Sequence, residues 1–146
     1  MDSRLNTPWV ALRFGIGLTA TLAGLDKFFN LLTDWTHYVS PLAAQMLPFS
    51  TTTFMGIVGI VELAVGIAVL TAWTRLGAYV ASAWLILVAI NLALAGYFDV
   101  AVRDVVMAIA AFTLARLSEV QQEAREANSQ FPTPNFQPLP TPNSQR

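Results

Sequence analysis

The chain contains no cysteine. That excludes disulfides, thiolate catalysis, cysteine-ligated zinc and iron–sulfur clusters. It has a single histidine, His37, so bis-histidine haem ligation is excluded as well. Charge is also scarce. Only 12 % of the residues are Asp, Glu, Lys or Arg, against about 25 % in an ordinary soluble domain. The net charge of −1 gives no sign of a nucleic-acid partner. What fills the chain instead is apolar: 55 % hydrophobic residues, gathered in long runs. That composition belongs in a lipid bilayer. A length of 146 residues leaves room for four spanning helices and little else, and for no separate soluble catalytic domain.

One run organises the rest, Thr53 to Ala72 (TFMGIVGIVELAVGIAVLTA). About 20 residues at a rise of 1.5 Å cross the roughly 30 Å hydrocarbon core. Glu62 stands close to its midpoint. A carboxylate there costs at least ~2.5–3.5 kcal/mol on insertion scales, so it is expected to be protonated, paired or facing a cavity. Gly59, Glu62 and Gly66 fall on one narrow helical face, with Gly56 at its edge. Small residues let a neighbouring helix approach closely, which points Glu62 into a packed bundle.

The first span is expected over residues 8–32, with Thr7 as N-cap and Pro8 at the first helical position. Its apolar run resembles a signal peptide. The length of the run, Arg13 within it and the continuing pattern at Asp26 and Lys27 mark it as a retained helix. Gly15, Gly17 and Gly24 offer close-packing positions. A long connection, residues 33–52, follows, with Trp35, His37 and Tyr38. Its LAAQML piece suits a short surface helix, and Ser50 to Thr53 offer N-caps. His37 reads as a surface residue; Trp9, Trp35 and Trp73 read as interface anchors. The remaining spans are expected over residues 53–72, 76–98 and 100–117, with Asp99 as an N-cap.

Residues 118–130 read as a polar continuation of the last helix beyond the membrane. The tail from Phe131 onward is rich in proline and suits polyproline II or disorder. Phe131, Pro132, Pro134, Phe136, Pro138, Leu139 and Pro140 are its candidate partner-binding positions. Four spans place both termini and the Arg75 turn on one side. That side collects Arg4, Arg75, Arg116, Arg125 and Arg146, and is therefore expected to be cytoplasmic.

This topology brings one polar group from each span into the outer half of the membrane. Lys27, Glu62, Asn91 and the adjacent Arg103 and Asp104 form the candidate cluster. Lys27 and Arg103 balance Glu62 and Asp104 in charge. Asp26 joins them or faces the headgroups, and Arg13 snorkels at the other end. Two readings stand side by side. One is a polar pocket for a small head group, an anion, a quinone or protons. The other is a satisfied ion-pair network that fixes helix register. The glycine faces, Gly24, Gly56, Gly59 and Gly66, read as packing and not as phosphate loops. No metal site is expected.

The pieces LRFGIGLTATLAGLDKFF, with Arg13, Gly24 and Lys27, GIVELAVGIAVL, with Glu62 and Gly66, and Val102-Arg103-Asp104 resemble the DoxX family of small four-span membrane proteins. The resemblance covers roughly residues 9–117 and does not include the proline-rich tail. The family and its relatives include a subunit of thiosulfate:quinone oxidoreductase, a member of a complex handling oxidative stress and a methylamine dehydrogenase maturation factor. The resemblance implies an accessory or assembly role beside electron-transfer machinery, without naming a reaction.

The fold expected is therefore all-α: an integral membrane four-helix transmembrane bundle (residues 1–117) with a cytoplasmic helical extension and a Pro-rich C-terminal tail (residues 118–146). The leading function expected is a non-catalytic accessory subunit of a larger bacterial membrane complex, respiratory, photosynthetic or otherwise redox-active. It would sit in an inner, intracytoplasmic or thylakoid membrane, with other membrane subunits as partners and its tail docking on the cytoplasmic side. It would carry no cofactor of its own. The alternatives are a component of a quinone-linked oxidoreductase with a pocket in the outer half of the bilayer, and a small transporter or proton path.

Overall fold

The computed structural model describes residues 3–130, which are helical with no strand among them. The tail positions from Phe131 to Pro140 named above lie outside the described residues. Helix α1 runs Ser3–Phe29, a 3-10 turn covers Trp35–Tyr38, and α2 covers Pro41–Met46. Then come α3 (Thr51–Leu70), α4 (Thr74–Leu94) and α5 (Phe98–Gln130). Among the described residues three stretches are long and apolar enough to cross a membrane: Leu5–Phe29, Thr51–Leu70 and Thr74–Leu94. Their outward faces carry exposed Leu18, Leu22, Ile57, Ile60, Ile67, Leu87 and Ile90. Large apolar side chains ringing the outside of packed helices suit a lipid surround, not water. The first half of α5 is apolar too, but Asp99, Arg103 and Asp104 interrupt it.

The four long helices pack α1 on α3, α3 on α4, α4 on α5 and α5 back on α1. Glycine sets the first contact. A Cβ on Gly24 would lie 2.7 Å from the Gly59 carbonyl oxygen, and one on Gly59 would lie 2.8 Å from the Gly24 oxygen. One turn-pair further along, a Cβ on Gly66 would come within 2.9 Å of the Gly17 oxygen. Backbones that close leave no room for a side chain. Gly15 and Gly56 do not belong to this seam. Nothing lies within 4 Å of a Cβ on Gly15, and one on Gly56 would meet only Phe28, at 4.0 Å. Gly77 makes a second close contact, where a Cβ would stand 2.8 Å from the Val69 nitrogen across the α3–α4 turn. Alanines do the same work between α4 and α5: Ala78, Ala81, Ala108, Ala111 and Ala115 are all buried. Ile16, Val65, Val69 and Leu114 complete this core.

The helix ends differ from the expected bounds for local reasons. α1 passes through Pro8 instead of starting there. It stops at Phe29 because Asn30 takes a left-handed φ of 49°, a conformation that asparagine tolerates better than most residues. The Asp26 carboxylate then accepts the backbone N–H groups of Leu31 (3.0 Å) and Leu32 (3.1 Å). α4 ends in a Schellman turn at Gly96, φ 88°. There Tyr97 N donates to Leu92 O and Gly96 N to Ala93 O. Asp99 lies in the first turn of α5 and faces Arg103, so it does not act as the N-cap. Ser50 does cap α3, accepting from Thr53 N, and Ser40 caps α2, accepting from Ala43 N. The Thr36 hydroxyl and amide, both donating to Asp34, hold that exposed carboxyl below its ordinary value of 3.8.

Candidate functional site

The packed core occupies the end of the bundle near the α3–α4 turn. Towards the other end a cavity of about 640 Å3 opens between the helices, with the segment from Thr33 to Met46 over it. Its walls are mostly apolar: Ala20 and Ala23 of α1, Met55 and Val58 of α3, Leu85 and Val88 of α4, Met107 of α5. Leu87, Ile90 and Leu94 of α4 and Leu42 and Met46 of α2 line it and remain exposed. The rim on α4 and α2 is thus apolar, while Arg103 of α5 is the exposed charge beside it. The five candidate positions, Lys27, Glu62, Asn91, Arg103 and Asp104, all fall on the wall of this cavity.

Of the ion pairs that charge balance along the sequence allows, one forms, Lys27 with Glu62. Lys27 Nζ donates to Glu62 Oε2 at 2.6 Å, with the lysine side chain 4 % exposed and the glutamate 14 %. The pair forms because Gly24 and Gly59 bring α1 and α3 together just beside it. Trp35 covers it: the Lys27 ammonium lies 3.7 Å from the centre of the indole ring, a cation–π contact. The indole N–H of Trp35 donates to Asp26 Oδ2 at 2.7 Å, which fixes the ring. Trp35 therefore turns inward as a cover.

Asn91 is a fastener. Its amide nitrogen donates to the Tyr38 carbonyl at 2.8 Å, and its amide oxygen accepts from Ser40 N at 3.1 Å. Both ends of the side chain are spent on the covering segment. The Tyr38 ring also packs on Tyr97, with centroids 4.8 Å apart. Arg103 does not pair with Glu62 or Asp104. It is 74 % exposed and stands 3.9 Å from Asp99, one turn away on its own helix. Asp104 has no hydrogen-bond or ion-pair partner among the described residues, which leaves its carboxyl open to the cavity. Among the described residues no group of His, Cys, Asp and Glu is arranged to hold a metal ion.

Asp26 joins the site, one of the two places that the sequence leaves open for it, and with Trp35 it forms the clasp above Lys27. Trp35 is not among the candidates read from sequence, and neither is Trp84. The Trp84 Nε1 lies beside Glu62, buried, without a well-formed hydrogen bond. A signal for it was present: a tryptophan in the middle of a span, away from the interface, carries a donor into hydrocarbon. His37 is exposed, as expected of a surface residue, and stands 3.8 Å from Asp34.

At the other end, Arg13 turns to the main chain at the end of α3. Its guanidinium donates to the carbonyls of Val69 (3.2 Å), Leu70 (2.6 Å) and Thr71 (2.8 Å). These are the unpaired carbonyls at the C-terminus of α3, where a cation is favoured by the helix dipole. The Thr74 hydroxyl donates to the Val69 and Thr71 carbonyls, each at 2.9 Å. Trp9 stacks on Arg13, 5.0 Å from its ring centre, and donates to Ser118 Oγ at 2.8 Å, tying α1 to α5.

The site thus combines a covered ion pair, an indole donor and a free carboxyl on the wall of an apolar cavity. That arrangement can hold the polar head of an otherwise apolar molecule. The chain matches no protein-family model, no curated protein and no solved structure.

Proposed function

We propose that this chain is a four-span bundle with both ends in the cytoplasm, and that it serves as an accessory subunit of a bacterial redox-active membrane complex. Its part in that complex is to hold an amphipathic small molecule, of which the quinones are the class in view. The observation that carries this reading is the cavity: about 640 Å3, mostly apolar, with Lys27, Glu62, Trp84 and Asp104 gathered on its wall. A volume of that size suits a small-molecule ligand. The exposed apolar rim on α4 and α2 favours entry sideways from the bilayer over entry from water. The fourth span is α5, whose Asp104 carboxyl lines the cavity, which lessens the cost of carrying it in a membrane. The resemblance to the DoxX family supports the redox setting. The tail's proline-rich composition supports a partner on the cytoplasmic side.

The reading assigns no turnover to the chain by itself. Asp104 and Glu62 offer hydrogen bonds to the ligand's head, Trp84 donates one, and Lys27 holds Glu62 in its covered position. The test is saturable binding of a decyl-tailed quinone to the purified full chain in nanodiscs, followed by tryptophan fluorescence. Asp104→Asn and Trp84→Phe should each weaken it, by about tenfold where a hydrogen bond worth ~1.4 kcal/mol is lost. Gentle purification from native membranes should also recover other subunits in fixed ratio. Absence of saturable binding removes the ligand role, and a chain recovered alone removes the accessory role.

A further inference from the structure

A second cleft opens where α1 begins and α3 turns into α4. Its volume is about 170 Å3, and its character is the reverse of the cavity's. Three arginines line it, Arg13 from α1, Arg75 from α4 and Arg125 from α5, and among the described residues no carboxylate does. They come from elements far apart in sequence, so the fold, not a local basic run, gathers them. Arg13 is fixed by its three carbonyl contacts and by Trp9. Arg75 and Arg125 are exposed and have no acidic partner among the described residues. The nearby Arg116 differs: it is paired with Glu119. Gln121 and Gln122 supply neutral donors to the same cleft.

Positive charges held together with no acid between them repel one another until an anion joins them. Guanidinium groups suit oxyanions because their planar N–H groups can bind two oxygens at once. The cleft lies at the level of Trp9 and exposed Trp73, residue types that favour the headgroup layer. It is also at the end of the bundle that the arginine distribution assigns to the cytoplasm, where basic pockets between helices meet anionic lipid heads.

We propose that the Arg13–Arg75–Arg125 cleft is a phosphate-group site, filled by the headgroup of an anionic phospholipid or by free phosphate. The site is independent of the cavity and of the function proposed for it.

The experiment uses the full chain in detergent micelles and native mass spectrometry. Phosphatidylglycerol, phosphatidylcholine and inorganic phosphate are supplied in separate arms. The variants are Arg75→Gln, Arg125→Gln and, as a control outside the cleft, Arg116→Gln. Substituting two exposed side chains leaves the packed helices intact, and circular dichroism checks that. Preferential retention of phosphatidylglycerol over phosphatidylcholine, weakened about fivefold by each cleft variant and unchanged by the control, establishes the lipid headgroup as the occupant. Phosphate binding with the same variant pattern, and no preference between the lipids, establishes the free ion instead. The proposal is overturned if neither ligand distinguishes the cleft variants from the native chain, or if Arg116→Gln has an equal effect.

Discussion

Lys27 Nζ and Glu62 Oε2 stand 2.6 Å apart on the same two helix faces that press Gly24 against Gly59. The ion pair and the glycine seam are one device. The glycines set a separation at which a lysine and a glutamate can meet without long side-chain detours, and the pair fixes the register of α1 on α3.

Removing one member of the pair should therefore do more harm than removing both. Lys27→Met strands a carboxylate among apolar walls, and Glu62→Leu strands an ammonium under Trp35. Each single change is expected to cost about 3–5 kcal/mol. The double variant has no uncompensated charge and should recover most of the loss. A thermodynamic cycle on reversible unfolding in mixed micelles measures this. Strictly additive losses would show that the two groups are not coupled.

The seam itself predicts a contrast among glycines. Gly24→Ala and Gly59→Ala put a methyl against a carbonyl at 2.7 Å and 2.8 Å, and backbone cannot move aside cheaply. Overpacking of this kind costs about 1–3 kcal/mol. Gly15→Ala and Gly56→Ala meet no such contact and should be neutral or slightly stabilising, since alanine favours helix. Melting temperatures of the four variants settle it, and equal losses in both pairs would refute the seam.

That contrast also marks what can be read from a sequence. Length and hydropathy were enough to place apolar spans, because burial in lipid needs little more than a run of the right length. Depth along each span was enough to list Lys27, Glu62, Asn91, Arg103 and Asp104 together. Depth gives height but not rotation about the helix axis, so it could not tell that Arg103 turns to Asp99 while Asp104 turns to the cavity. Pairing side chain with side chain also overlooked the backbone. Asn91 bonds to the main chain of the covering segment, Asp26 to two amides beyond α1, and Arg13 to three carbonyls of α3. Such partners carry no residue-type signature. Asn30 and Gly96 could have been recognised as helix stops from their tolerance of positive φ.

The fastening role of Asn91 can be checked locally. Asn91→Leu leaves the Tyr38 carbonyl and the Ser40 amide without partners, a cost of about 1–3 kcal/mol for the buried groups. The loss should be confined to the segment over the cavity. Hydrogen exchange should quicken from Thr36 to Ala44 and stay unchanged in the α1–α3 seam. Uniform quickening across all helices would mean that Asn91 supports the whole bundle instead.

Arg13 offers the last test, because its geometry separates charge from shape. The guanidinium reaches three successive carbonyls at the end of α3 through two of its nitrogens, Nε and Nη2. A lysine ammonium in its place keeps the charge near the helix C-terminus but cannot span all three acceptors. Arg13→Ala should thus lose both terms, about 2 kcal/mol in total. Arg13→Lys should lose the fork and keep the dipole term, falling between alanine and the native chain. The Thr74 hydroxyl, which bonds two of the same carbonyls, limits the damage. Thr74→Val combined with Arg13→Ala should therefore destabilise by more than the two changes sum to separately. Chemical unfolding of the native chain, the three single variants and the double variant gives the comparison. If lysine replaces arginine without loss, only the charge matters, and the three-carbonyl fork contributes nothing to holding the end of α3.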